Sequence, residues 1–162
     1  MGNVALGGSS LAANTTGGYN VAVGATALSL NTSGGNNDAS GAYALAANTT
    51  AGNNIAVGPS AMLATTTGAD NIAVGPAAML ANVSGVSNVV VGQLALAAST
   101  TGNYNVAIGS GALNLSTVSY NVAVGMNALS TSSTGAGMVG VGTRALTANT
   151  TGLNNTAIGY EA

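Results

Sequence analysis

The chain has 162 residues, 47% of them hydrophobic, yet only Asp38, Asp70, Arg144 and Glu161 carry a formal charge, where an ordinary globular domain has roughly a quarter of its residues charged. Cysteine, histidine and lysine are absent, which excludes disulfides, thiolate chemistry and thiolate-bound metals. A single arginine cannot supply the several phosphate contacts of nucleic-acid binding or the basic patch that anionic membranes attract.

The 25 glycines and five tyrosines, with no phenylalanine or tryptophan, leave almost no large side chains for a rounded core. Gly, Asn, Thr and Ser interrupt every apolar stretch before it nears the ~18 residues of a membrane helix. Neither nucleic acid nor membrane insertion is therefore expected.

A pentad of the form Asn-Val-Ala-Val-Gly recurs along the whole chain. Its first position falls at Asn3, Asn20, Asn37, Asn54, Asn71, Asn88, Asn105, Asn121, Met138 and Asn155. Successive copies lie 17 residues apart, except that the copy beginning at Asn105 has 16, read as loss of a turn glycine around Val118-Ser119. So short and strict a period predicts a solenoid with one flattened coil per repeat. The expected fold is all-β, a parallel β-solenoid of about ten 17-residue coils forming a single domain over 1–162. At about 4.7–4.9 Å per coil it is a rod roughly 45–50 Å long.

Within each copy, positions two to four read as a strand. Positions two and four are mostly β-branched (Val21 and Val23, Ile55 and Val57, Ile72 and Val74, Val106 and Ile108), and position three is mostly alanine. Period-two alternation gives the strand one branched face and one small face. The branched face is assigned to the interior. The alanines then form an outward apolar ribbon, and Ala22, Ala56, Ala73, Ala107 and Ala123 are candidate residues for lateral association.

Position five is glycine in all ten copies: Gly7, Gly24, Gly41, Gly58, Gly75, Gly92, Gly109, Gly125, Gly142 and Gly159. A structural corner with positive φ, or close approach of successive coils, would require this. Position nine is Leu or Met, from Leu11 to Leu146, and supplies a second apolar wall, with a short strand or helical turn around it. Asn-Thr-Thr-Gly, as in Asn14 to Gly17, is turn chemistry that returns the chain to the next strand. The asparagines at position one form a ladder able to exchange side-chain hydrogen bonds between coils.

The third copy departs from this pattern, with Asp38 and Ser40 at the branched positions. A carboxylate inside so thin a core is costly, so this coil is expected to be locally rearranged or opened.

The pentads Asn20-Val21-Ala22-Val23-Gly24 and Asn155-Thr156-Ala157-Ile158-Gly159 resemble the head repeats of trimeric autotransporter adhesins of the Yersinia adhesin type. The longer unit resembles repeats of bacteriophage tail fibres and environmental surface proteins. The likeness spans essentially the whole chain, although the family's head repeat is shorter than 17 residues. It implies a left-handed parallel roll, commonly three side by side, exposed outside the cell or on a virion.

No constellation for catalysis is present. The three carboxylates fall in separate copies, with no histidine, cysteine or lysine to work beside them, and the glycines are not followed by the Lys-Ser or Lys-Thr of a phosphate loop. The chain is expected to be no enzyme and to need no cofactor or metal. Its expected role is a structural extracellular fibre or adhesin-head module, homo-oligomeric as a trimer or filament, with recognition of a glycan or surface ligand through repeated Asn and Thr groups. Two rivals are a self-assembling filament without adhesive role and an ice-binding surface built on the Thr pairs.

Overall fold

The computed structural model describes residues 2–131 and 134–162. It contains ten three-residue strands: β1 Val4–Leu6, β2 Val21–Val23, β3 Asp38–Ser40, β4 Ile55–Val57, β5 Ile72–Val74, β6 Val89–Val91, β7 Val106–Ile108, β8 Val122–Val124, β9 Val139–Val141 and β10 Thr156–Ile158. All pair in parallel, in chain order, within one sheet. Equivalent repeat positions lie in register, as in Ile55↔Ile72 and Val106↔Val122. The chain is a parallel β-solenoid of about nine turns with coils of about 17 residues. There is no helix among the described residues.

The two faces of the strand are the reverse of the expected ones. Ala22, Ala39, Ala56, Ala73, Ala107 and Ala123 at position three are completely buried, as is Val90 in the sixth copy. The branched residues on either side of them are half-buried or exposed. The alanines therefore cannot form an outer contact ribbon. They pack in one continuous cluster with the alanine at position eight and the Leu or Met at position nine, including Ala27, Leu28, Ala61, Met62, Ala112 and Leu113.

The reason is cross-section. Each thin coil already encloses one long side chain, from position nine, and the amides of the asparagine ladders, leaving mostly methyl-sized room across from them.

The second wall is neither strand nor helix. Position nine has left-handed backbone from Leu11 to Leu146, with Leu28 at φ 50° and Met79 at φ 55°; position seven does too, as at Thr26, φ 63°. Such backbone costs a residue with a side chain roughly 1–2 kcal/mol, and two such residues per coil preclude a regular strand. The wall is nevertheless hydrogen-bonded from coil to coil. Leu28 N donates to Ala44 O at 3.1 Å and Leu30 N to Ala46 O at 3.2 Å. Complete burial of the position-nine side chain from Leu28 to Leu129 offsets the conformational cost.

The corner glycines meet both expectations. All ten have φ between 128° and 152°, a region essentially closed to other residues. A Cβ on Gly75 would lie 2.7 Å from the carbonyl carbon of Gly92 and 2.8 Å from its oxygen. Glycine is thus required by backbone conformation and by the contact between coils.

The position-one asparagines form an internal ladder. Asn20, Asn37, Asn54, Asn71, Asn88, Asn105 and Asn121 are all essentially buried. In the fifth coil, Asn71 Nδ2 donates to Gly85 O across the coil at 2.8 Å, and Asn71 Oδ1 accepts the backbone N–H of Asn88 at 3.0 Å. One side chain thus fastens the start of the strand to its own return turn and to the next coil.

A second ladder runs through position twelve, where Asn31 Nδ2 donates to Asn14 Oδ1 and Asn48 Nδ2 to Asn31 Oδ1, each at 2.8 Å. The turn asparagines are therefore core residues as well as corner formers.

The 16-residue copy keeps the glycine's role and loses a different residue. Asn105 Nδ2 donates to Val118 O at 2.9 Å, the bond that the carbonyl at position fifteen accepts elsewhere. Tyr104 and Tyr120 stack at the last position of adjoining copies, with ring centroids 5.3 Å apart. Val118 thus stands where the glycine was expected, and the deletion falls within the hydroxyl pair that precedes it.

Candidate functional site: the branched face of the sheet

With alanine turned inward, the side chains at positions two and four of every strand form one outer band. Val23, Ile55, Val57, Ile72, Val89, Val91 and Ile108 are each between 36% and 40% exposed. This is too open for a core and too regular for a scatter of surface residues. Parallel, in-register pairing stacks these pairs at about 4.8 Å, giving a band roughly 43 Å long with its two rows about 7 Å apart. Contiguous apolar patches larger than a few hundred Å² usually mark a contact surface. The alternation is legible in the sequence, but the small face, assigned there to the outside, is the buried one.

Asp38 and Ser40 lie on this band. β3 pairs in register with β2 and β4, Val21↔Asp38 and Asp38↔Ile55, so the expected rearrangement of the third coil does not occur. Position two points outward, and the half-buried Asp38 therefore does not enter the core. Ser40 Oγ donates to Asp38 Oδ1 at 2.8 Å.

The other groups considered for recognition divide between inside and outside. The ladder asparagines are internal, and their amides serve the fold. Within the threonine pairs, the first hydroxyl is turned to the backbone: Thr15 Oγ1 donates to Thr32 O, and Thr32 Oγ1 to Thr49 O, each at 2.9 Å. The second residue, as at Thr16, Thr50, Thr67 and Thr101, is exposed. The pairs consequently present one outward hydroxyl per coil instead of a flat double rank.

The remaining charged groups lie at corners. Asp70 Oδ1 accepts from Asn53 Nδ2 at 3.0 Å. Arg144 Nη1 lies 2.8 Å from Glu161 Oε1, and that hydrogen bond holds the Glu161 carboxyl below its usual range. Among the described residues, no three His, Cys, Asp or Glu side chains come together, and no helix is long and apolar enough to cross a membrane.

Comparison with known proteins found no matching family model, no similar curated protein and no similar solved structure. The class defined by fold and surface is that of a parallel β-solenoid with an apolar sheet face.

Proposed function

We propose that this chain is a non-catalytic structural rod, an extracellular fibre or adhesin-head module, whose copies associate side by side through the branched face of the sheet. The observation that carries this reading is the unbroken run of half-exposed Val and Ile from β4 to β9. A face ridged every 4.8 Å or so fits best against a surface with the same ridge spacing, and a second copy of the chain offers one. The resemblance of the pentads to adhesin heads and tail fibres supports placement outside the cell or on a virion.

The test is sedimentation velocity over a concentration series, with negative-stain images of the same samples. The wild-type chain is expected to form side-by-side oligomers. Val57→Asp and Val91→Asp, both on the outer face, are expected to keep the circular dichroism of the fold and sediment as monomers. A wild-type chain that stays monomeric both at pH 7.4 and at pH 4.0, or variants that associate unchanged, would overturn the reading. Discrete bundles of rods favour an adhesin or fibre segment, and long uniform threads a filament.

A further inference from the structure

We propose that Asp38 acts as a charge brake on this side-by-side association, so that neutralising its carboxylate tightens the contact between copies. The inference rests on the self-association reading and adds to it the residue that regulates the face.

Asp38 is the only charged residue on the band. Along the sheet it is flanked by Val21 on β2 and Ile55 on β4. The next positions of those strands that share its face are Val23 and Val57. Its polar neighbour on its own strand is Ser40, whose single hydroxyl proton is already given to Oδ1.

No basic side chain of the chain can reach it. Arg144, the only basic side chain, sits six copies away at position seven and is paired with Glu161. Asp70, Glu161 and the five tyrosines occupy positions six, seven and the last of their copies, at corners and off the face.

Closing an apolar partner over this rung strips water from a carboxylate for which the adjoining strand positions supply one hydroxyl and no countercharge. A copy packed in parallel register brings a second Asp38 to the same place, and like charges there oppose the contact. A shifted or antiparallel copy sets Asp38 against Val or Ile, which cannot solvate it. The brake therefore acts in either orientation, and a proton relieves it in both. Natural sheets use single charges in the same way, against unwanted association of otherwise sticky surfaces.

The experiment is sedimentation equilibrium of the full chain at pH 7.4 and pH 4.0, for wild type and Asp38→Asn. The asparagine keeps the shape and can accept the Ser40 hydroxyl, and circular dichroism verifies that the coil is retained. The wild-type dissociation constant is expected to fall at least about tenfold between pH 7.4 and 4.0. Asp38→Asn at pH 7.4 is expected to associate at least as tightly as wild type at pH 4.0 and to change less than about twofold with pH.

The brake is refuted if Asp38→Asn associates no more tightly than wild type at pH 7.4, or if it keeps the wild-type pH response, which would then belong to Asp70 or Glu161. If folded wild type and Asp38→Asn both stay monomeric at either pH, the face is covered by something other than a second copy. The self-association reading then fails first, and the brake with it.

Discussion

Replacing Asn71 by alanine tests whether the buried amide ladder holds the coils together. Asn71 makes four side-chain hydrogen bonds: Nδ2 donates to Gly85 O and Asn54 Oδ1, and Oδ1 accepts from the backbone N–H and the Nδ2 of Asn88. Three of the four partners keep another bond after truncation. Asn54 Oδ1 still accepts Asn71 N, Gly85 O still accepts Asn82 Nδ2, and Asn88 Nδ2 still reaches Gly102 O.

The backbone N–H of Asn88, within a completely buried residue, loses its acceptor. One orphaned buried donor costs about 1–3 kcal/mol, and three lost but partly replaced bonds about 0.5–1.5 kcal/mol each, so the substitution should cost about 2.5–7.5 kcal/mol. Urea unfolding followed by far-ultraviolet circular dichroism measures the cost. Hydrogen exchange at the Asn88 amide localises it.

The control is Asn53→Gly, at an exposed corner with φ 60°, where glycine keeps the backbone and removes only exposed side-chain bonds; its effect should stay within about 1 kcal/mol. If Asn71→Ala shifts the midpoint no more than this control, the ladder does not hold the coils together.

Three other substitutions have distinct expected outcomes. Gly75→Ala should destabilise more than an ordinary surface change and lower the urea midpoint, because its Cβ meets backbone atoms of Gly92 that no side-chain rotation can move. Ala73→Leu should cost about 1–3 kcal/mol by overpacking the core and leave the association of the folded fraction unchanged, as seen by sedimentation; loss of association in a fully stable variant would return the alanines to the outer surface. Arg144→Ala should raise the Glu161 carboxyl in an NMR titration, since the arginine's hydrogen bond is the largest cause of its lowered value. The stabilising contribution of this pair is present above the ordinary glutamate range and is lost as pH falls through the lowered folded value. The exposed position of both partners means that the urea midpoint at pH 7 should scarcely move.

Much of the architecture is written in one dimension. The 17-residue period determines the coil and the parallel register, because identical copies can bury their apolar residues together only by stacking like on like. Glycine at position five and Leu or Met at position nine announce the corner and the wall, since few other residue types satisfy those places. The candidate contact surface was legible only as one of two alternatives. Alternation along Val21-Ala22-Val23 states that the strand has two unlike faces, and no local property says which of them is inside.

That choice belongs to the tertiary structure. The usual expectation that branched side chains seek the interior fails here because the space between the walls is already filled by position nine, by the position-one asparagines and by the buried polar residues at position twelve. What remains mostly suits an alanine methyl. The same inversion puts Asp38 in reach of solvent and explains why a carboxylate at a strand position leaves β3 intact. Left-handed backbone at Leu28 or Thr26 was likewise hidden, since neither residue favours it alone. Coil-to-coil hydrogen bonds and the burial of position nine impose that conformation, and they exist only once neighbouring coils are stacked.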